Sequence, residues 1–371
     1  MKNIITSYST ESNVASAVQE LAAGLANHAA STVLYFGSPA YDPESLASAM
    51  RMAFPGTTLL GCTTAGEIVS GHMLKSSVVA MALPAEIVSE VYMHVALGIS
   101  TNLSGIDAAF RAFEMDTATM ARDLDPSEWV GLILMDGLSR AEERVMERVG
   151  ALTDVMFVGG SAGDDLAFKR THVFVDGMAY SDAAVLALLR VPKGFDFIKT
   201  QSFCAMSKVL TPTLVDEATR TVLEFDGKPA VQAYAEALGL CDAEVASGFT
   251  GHPVGLMDGD EPYVRSPQQV SGTAMAFYCA VKEGMPLSVL ESTDIVGDTA
   301  KALADKQAEL GGIAGVINFN CILRTLELDA KGKAAEYGAI FTDVPTVGFS
   351  TYGEAMIGHI NQTATMLVFK N

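Results

Sequence analysis

The chain has 371 residues, of which 49% are hydrophobic and 18% charged, and its formal net charge is −20. This length favours two domains, and the composition is that of a folded globular protein rather than a disordered one. The negative charge repels phosphate backbones and anionic lipid, which argues against nucleic-acid binding and against a role at a membrane surface.

We expect neither a targeting sequence nor a membrane anchor. No apolar stretch reaches the roughly 18 residues of a membrane helix, and the first residues, MKNIITSYSTES, lack the apolar region of a secretory signal. We therefore expect a cytoplasmic protein. The five cysteines are scattered without C-x-x-C spacing, so we expect them to be reduced and expect no metal site.

The first half of the chain alternates strand-like and helix-like segments. The pattern predicts strands at 3–8, 32–36, 57–60, 76–83, 88–97, 130–135 and 155–158, and helices at 12–29, 43–54, 104–124 and 139–152. This alternation predicts sheets covered by helices.

After residue 170 the pattern changes. Asp-Gly pairs at 176–177 and 226–227 indicate tight hairpin turns, and short strands dominate to about residue 290. The sequence also predicts strands at 183–189, 313–319 and 363–369, and helices at 229–238 and 294–310. Proline, lysine and polar residues cluster between 190 and 215, where we expect a domain boundary. The expected fold is α/β (α+β), with two packed domains, each a mixed β-sheet covered by helices.

Two glycine-rich loops match one pattern at distant points of the chain. Residues 61–67 read GCTTAGE and residues 348–354 read GFSTYGE, and both fit G-x-[ST]-T-x-G-E at an offset of 348 − 61 = 287 residues. The first loop resembles a phosphate-binding loop, but Glu67 stands where lysine is required, and its carboxylate would repel phosphate. It also misses the second glycine of a nucleophile elbow.

Two other stretches place polar residues directly after predicted strands. Residues 159–165 read GGSAGDD, and residues 318–324 read NFNCILR. Because ligands of α/β sheets bind at the carboxyl ends of strands, we expect the four stretches to form one polar pocket between the two domains. The candidate ligand-binding residues are Cys62, Thr63, Thr64, Glu67, Gly160, Ser161, Asp164, Asn320, Cys321, Arg324, Ser350, Thr351, Tyr352 and Glu354; no residue is assigned a catalytic role.

Five motifs together resemble one family. GCTTAGEI, FVGGSAGDD, INFNCILRTLEL, GFSTYGE and NQTAT, in this order, are similar to the FIST sensory family over roughly residues 20–370. The resemblance implies a FIST N-terminal domain at 1–200 and a FIST C-terminal domain at 201–371. It also implies a non-catalytic input module of bacterial signal transduction that detects a small ligand, with amino acids as the expected class. Its output would pass to a separate partner, such as a histidine kinase or a cyclic-di-GMP enzyme.

An amino-acid ligand would assign roles to the charged candidates. Arg324 could bind the carboxylate, and Glu67 or Glu354 could face the ammonium group. Thr64, Ser161, Asn320 and Thr351 would orient the rest of the ligand. An alternative stays open for Arg324, namely a structural salt bridge to one of the two glutamates.

Two other functions stay open. Some members of the resembled family are haem-binding nitric-oxide sensors that regulate a histidine kinase, and haem iron needs an axial donor. The donors considered are His72, His252 and His359, which each follow a glycine, then Met73, Met257 and Cys321; His28 is instead expected at a helix end. Alternatively, Cys62 or Cys321 could serve a Cys-dependent enzyme acting on a small amide or amino acid.

Overall fold

The computed structural model of the chain describes residues 3–26, 30–356 and 358–371. It contains 26% helix and 40% strand in several mixed sheets, which confirms the mixed α/β prediction. The chain forms two compact units. The first comprises Met1–Thr200, Thr299–His359 and Ala364–Asn371, and the second comprises Gln201–Asp298 and Ile360–Thr363. The division into domains 1–200 and 201–371 stays a prediction.

The chain begins with a segment of six strands and two helices. Asn13 caps the first helix by accepting hydrogen bonds from two backbone N–H groups, and Asp42 followed by Pro43 starts the second. The elements are β1 (Ile5–Ser9), α1 (Val14–Gly24), β2 (Ala30–Gly37), α2 (Pro43–Ala53), β3 (Thr58–Thr63), β4 (Glu67–Val69), β5 (His72–Leu74) and β6 (Val78–Pro84).

The next segment has the same number of strands and helices. Its elements are β7 (Glu90–Leu97), α3 (Ser104–Thr117), a 3₁₀ turn (Ala121–Asp123), β8 (Trp129–Met135), α4 (Glu142–Gly150), β9 (Phe157–Ser161), β10 (Val173–Val175), β11 (Met178–Tyr180) and β12 (Ala183–Arg190). The helix predicted at 104–124 stops early because Ala118 adopts a left-handed conformation. The hairpin predicted at Asp176-Gly177 is confirmed, with both residues at positive φ.

Strand β13 (Phe195–Gln201) leads into the second unit, which consists of short antiparallel strands and two small helices. These are β14 (Phe203–Leu210), β15 (Pro212–Asp216), β16 (Thr221–Phe225), β17 (Lys228–Pro229), α5 (Ala230–Leu238), a 3₁₀ turn (Asp242–Glu244), α6 (Val245–Gly248), β18 (Val254–Asp258), β19 (Glu261–Arg265), β20 (Pro267–Ser271), β21 (Ala274–Phe277) and β22 (Leu287–Ser292). They form a four-stranded and a five-stranded sheet, and Phe225, Tyr234 and Phe277 lie in the core of the unit.

The rest of the chain completes the first unit. Its elements are α7 (Ile295–Leu310), β23 (Ile313–Cys321), α8 (Ile322–Ala330), α9 (Ala334–Ala339), β24 (Thr346–Thr351), β25 (Glu354–Met356), β26 (His359–Ile360) and β27 (Thr363–Lys370). Helix α8 begins at Ile322, directly after β23 ends at Cys321.

The first unit, together with the adjoining residues 201, 295–298 and 360–363, forms an internal threefold repeat. We call residues 5–84 repeat 1, residues 90–190 repeat 2, and residues 195–201 with 295–370 repeat 3. Three six-stranded sheets share one strand order: β1-β6-β2-β3-β10-β11, β7-β12-β8-β9-β25-β26 and β13-β27-β23-β24-β4-β5. In each sheet the middle pair is parallel, and the last two strands are a hairpin contributed by another repeat. The hairpins are thus exchanged in a cycle.

Three glycines mark equivalent positions in the repeats. Gly61 lies opposite Tyr35, Gly159 opposite Ile133 and Gly348 opposite Asn318 across the three parallel pairs. A Cβ at these glycines would lie 1.8, 1.7 and 2.0 Å from the carbonyl oxygen of that partner. Only glycine fits so close an approach of two strands. The two loops that share G-x-[ST]-T-x-G-E are therefore corresponding parts of repeats 1 and 3, and repeat 2 has a variant.

The three sheets share one apolar core. Leu34, Leu134 and Phe319, one from each sheet, belong to a single buried cluster. The opposite faces of the first two sheets pack against their own helices, α1 and α2 in repeat 1 and α3 and α4 in repeat 2, in separate apolar clusters. Within the described part of the chain, no helix is long and apolar enough to cross a membrane.

Candidate functional site

The structure brings the four polar stretches together, all within the first unit. Ser350 N donates to the Gly66 carbonyl at 2.7 Å, which joins the first and the last stretch. Ser161 N donates to the Gly353 carbonyl at 2.9 Å, and Gly163 N donates to the Thr63 carbonyl at 3.0 Å. These bonds occur where the exchanged hairpins leave one sheet and enter the next. The ligand-binding role of the stretches stays a prediction.

Glu67 is fully buried, and its carboxyl group is hydrogen-bonded within repeat 1. Its carboxylate accepts hydrogen bonds from Ser77 N at 3.1 Å, from Ser77 Oγ at 2.6 Å and from the Thr64 hydroxyl. Burial raises the pKa of Glu67 to about 8, although these hydrogen bonds act in the opposite direction. The carboxyl group therefore holds the start of the exchanged hairpin β4–β5 against the start of β6.

Thr351 joins repeats 2 and 3. Its hydroxyl accepts a hydrogen bond from Ser161 N at 2.9 Å, and it lies 2.9 Å from the Ser161 carbonyl and 2.8 Å from the Gly353 carbonyl. Beside it, Glu354 pairs with Gly160 across β25 and β9, and the Glu354 side chain is buried. These candidates form the joint between two sheets.

Asp164 and Tyr352 form a second joint. The Asp164 carboxylate accepts hydrogen bonds from the backbone N–H groups of residues 168, 169 and 170 at 2.9, 2.6 and 3.0 Å, and from the Tyr352 hydroxyl at 2.5 Å. This carboxylate therefore fixes the loop between β9 and β10.

The remaining loop candidates lie in three surroundings. The Cys62 side chain lies in the apolar core shared by the three sheets, and burial raises the pKa of its thiol, which disfavours the reactive thiolate. Thr63 Oγ1 accepts a hydrogen bond from His172 N at 3.0 Å. Cys321 is buried at the residue before α8.

A third group of candidates lies on the helix-covered face of the third sheet, and we call it the Arg324 cluster. Asn320, Arg324 and Ser350 are joined there by five residues outside the candidate set: Thr200, Thr299, Asn318, Thr325 and Tyr337. All eight residues are buried, with 0 to 6% of each exposed. Side-chain amides, hydroxyls and one guanidinium therefore replace apolar packing on this face.

Arg324 supplies the positive charge of the cluster. Its Nε donates to Asn320 Oδ1 at 3.0 Å, its Nη2 donates to Thr299 Oγ1 at 2.9 Å, and its Cζ lies 6.0 Å from the centroid of the Tyr337 ring. Among the residues that the structure describes, its Nη1 has no hydrogen-bond partner and no carboxylate lies within ion-pair distance. The alternative in which Arg324 forms a salt bridge to Glu67 or Glu354 is therefore wrong.

The repeats provide an internal comparison for this cluster. Asn318 stands where repeats 1 and 2 have Tyr35 and Ile133, which pack in the apolar clusters beneath the helices. Asn320, opposite Ser350, stands where repeat 2 has the buried Met135, opposite Ser161. The helix-covered face of the third sheet thus carries a buried cation and two amides, and the two asparagines stand where the other sheets have Tyr35, Ile133 and Met135.

Part of the Arg324 cluster can be predicted from the sequence. Asn318 and Asn320 are two residues apart on a strand, so they share a face, and α8 follows directly. Thr200, Thr299 and Tyr337 come from three other elements, and nothing in their local sequence connects them to Arg324.

The structure describes the side chains of two of the histidines considered for haem, His72 and His252. His72 is exposed on β5, with its ring 5.2 Å from the Tyr8 ring, and His252 lies in the second unit with Nδ1 3.2 Å from the Leu290 carbonyl oxygen. An exposed ring on a short strand does not fit a haem, which requires an enclosing apolar pocket. His28 lies outside the described residues, and of His359 only the backbone is described.

The two methionines considered as haem donors lie on different strands, β5 and β18. Met73 is half-buried on β5 beside His72, and Met257 packs against a small apolar cluster of the second unit. No group of three or more His, Cys, Asp or Glu side chains among the described residues could hold a metal ion.

The chain was compared with models of protein families and with known proteins. The model of the FIST N domain matches residues 31–228, and the model of the FIST C domain matches residues 230–356. An uncharacterized protein of Methanocaldococcus jannaschii is 23% identical over 266 residues, which cover 66% of this chain and 50% of that protein. The chain thus spans about half the length of that curated relative. Because the FIST N match alone covers more than half of the 371 residues, the chain belongs to the FIST family of sensory domains.

Proposed function

We propose that this sensory domain detects a small carboxylate metabolite, such as an amino acid, and that Arg324 binds the carboxylate. The observation that carries the proposal is the buried guanidinium with no carboxylate partner among the described residues. Arginine keeps its positive charge at any physiological pH, and a buried charge without a counter-ion costs several kcal/mol. An anionic ligand would offset that cost.

The donor geometry favours a carboxylate. Arg324 Nε and Nη2 are fixed by Asn320 and by Thr299. This leaves Nη1 as a positioned, charged donor that loses no side-chain freedom on binding. A carboxylate oxygen accepts such a donor in a short charge-assisted hydrogen bond.

The cluster is also connected to the rest of the first unit. Thr325 Oγ1 lies 2.7 Å from Ser350 Oγ, and Ser350 N and its carbonyl oxygen are hydrogen-bonded to the loop of repeat 1. A ligand that moves α8 would therefore act on the joint at which the sheets exchange hairpins. The proposed output is a change at this joint that a separate signalling partner recognises.

Thermal stabilisation of the full chain tests the proposal. The probes are the twenty common amino acids, acetate, propionate, lactate and succinate, because a ligand that binds the native state raises the unfolding temperature. We expect at least one probe to stabilise the wild-type protein. The variant R324M should lose the response to that probe and keep a native circular dichroism spectrum.

A matched control uses another arginine of the same unit. Arg148 is paired with Asp107 and its side chain is 42% exposed, so R148M should keep the wild-type response. Two results would overturn the proposal: no probe stabilises the wild type, or R324M responds as the wild type does.

A further inference from the structure

Resting on the proposed function, we infer that Asn318 binds a hydrogen-bond donor of the same ligand, so that the Arg324 cluster selects carboxylates that also carry an amino or hydroxyl group. The inference comes from a chain of three hydrogen bonds whose direction is determined at every link.

The first link begins at arginine, which can only donate. Arg324 Nε donates to Asn320 Oδ1 at 3.0 Å, so this amide presents its oxygen to the arginine. The amide nitrogen of Asn320 supports the same orientation, because Nδ2 donates to Thr325 Oγ1 at 3.0 Å and to the Cys321 carbonyl oxygen at 3.3 Å. The orientation of the Asn320 amide is therefore determined from both sides.

The second and third links follow from the first. Tyr337 Oη lies 3.0 Å from Asn320 Oδ1, and an amide oxygen can only accept, so the tyrosine uses its one proton here. Its oxygen is then an acceptor for Asn318 Nδ2, at 3.2 Å. The Asn318 amide must present nitrogen to Tyr337 and consequently turns its oxygen away.

Each end of this chain leaves one polar atom without a partner. Arg324 Nη1 is a charged donor and Asn318 Oδ1 is a neutral acceptor, and neither has a partner within the described residues. Asn318 is 0% exposed and Arg324 is 1% exposed. A buried polar atom without a partner is costly. A ligand that carries both an anionic acceptor and a hydrogen-bond donor would pair both atoms of this network.

The glutamates expected to face an ammonium group do not belong to this network. Glu67 lies opposite Phe349 across β4 and β24, and Phe349 belongs to the apolar core on the other face of the sheet. The carboxyl oxygens of Glu67 accept hydrogen bonds from the hydroxyl groups of Thr64 and Ser77. A neutral amide oxygen in place of a carboxylate accepts N–H and O–H groups alike, but it repels a second ligand carboxylate.

The experiment measures affinity by calorimetry with the full chain and three matched probes, alanine, lactate and propionate. They share a carboxylate and a three-carbon skeleton, but only propionate lacks a donor. We expect propionate to bind about 10- to 100-fold more weakly than the better of the other two, because it leaves Asn318 Oδ1 unpaired. In N318L, whose side chain has a similar size and no polar atom, all three should bind at the propionate level.

The control is T365V. Thr365 Oγ1 is also buried without a partner in the described chain and lies on the neighbouring strand β27, but Thr365 is opposite Phe319, on the face of the apolar core. T365V should therefore keep the wild-type ratio of affinities. Y337F keeps the ring and removes the link that orients Asn318, so it should lower that ratio while the affinity for propionate changes less than threefold.

The outcomes separate the two proposals. If carboxylates bind through Arg324 but the wild type does not discriminate against propionate, or if N318L still discriminates, this inference is wrong and the proposed function stands. If none of the three probes binds the wild type and the wider panel also has no effect, both are wrong.

Discussion

Tyr352 and Asp164 are 188 residues apart in sequence, and the Tyr352 hydroxyl donates a hydrogen bond to Asp164 Oδ1 at 2.5 Å. The same hydroxyl accepts hydrogen bonds from Leu166 N at 2.7 Å and from Asp164 N at 3.2 Å. One phenol therefore connects the loop of repeat 3 to the loop of repeat 2. Repeat 1 has Ala65 at the corresponding position, so this connection is not part of the threefold pattern.

We expect Y352F to lower the free energy of unfolding by about 2 kcal/mol, because it breaks a hydrogen bond to a carboxylate and leaves two N–H groups without their acceptor. The ring remains and keeps its stacking on Phe168, whose centroid is 5.3 Å away. Urea unfolding followed by circular dichroism measures the difference.

Tyr8 offers the control for this change. It is 42% exposed, and Y8F should alter stability by less than about 0.5 kcal/mol. If Y352F were as stable as Y8F, the hydroxyl would not hold the two loops together.

Glu67 makes stability depend on pH. Burial raises its pKa to about 8 from 4.5, so between these values the folded protein holds a proton that the unfolded chain has released. The stabilisation is complete below pH 4.5 and is lost as pH rises towards 8, by up to about 1.4 kcal/mol for each pH unit. We expect E67Q, which resembles the protonated form, to lack this slope.

Urea unfolding at intervals between pH 5 and pH 9 tests the expectation. E67Q should be more stable than the wild type at pH 9, and the difference should shrink towards pH 5. The control E86Q changes an exposed carboxylate in a turn and should retain the wild-type slope. Parallel profiles for the wild type and E67Q would show that Glu67 is already ionised at pH 5.

Individual helices and hairpins could be predicted because neighbouring residues in the sequence determine them. The periodicity and the proline at residue 43 predict α2 with an error of one residue, and Asp176-Gly177 predicts the hairpin β10–β11. The threefold repeat was not predicted, since exchanged hairpins depend on pairings between distant residues such as Phe349 and Glu67. The second unit, inserted between β13 and α7, further separates the parts of repeat 3.

In the candidate site, too, the features encoded locally were predicted and those that depend on distant residues were not. The shared loop pattern selected corresponding parts of two repeats, but its glutamate in repeat 1 is hydrogen-bonded to Ser77 at the start of β6. Arg324 and Asn320 were found because they follow the predicted strand 313–319, whereas Tyr337 comes from α9 and Thr299 from α7. Helix packing brings those two residues to the cluster, and a sequence pattern does not show how helices pack.

The equivalent glycines provide a test of the repeat itself. G61A, G159A and G348A would each place a methyl group within 2.0 Å of a backbone carbonyl oxygen on the neighbouring parallel strand. Because backbone cannot move aside as a flexible side chain can, we expect each variant to lose about 3 kcal/mol or more of stability. The three losses should be similar, since the strand pairs are the same.

Gly150 at the end of α4 is the control, because a Cβ there meets nothing within 4 Å. G150A should be neutral or slightly stabilising, since alanine favours the helix. Thermal and urea unfolding of the four variants distinguish the cases. Soluble, native-like G61A and G348A proteins that lose less than about 1 kcal/mol would show that the parallel strands are farther apart at these positions, and the equivalence of the three loops would then lose its physical basis.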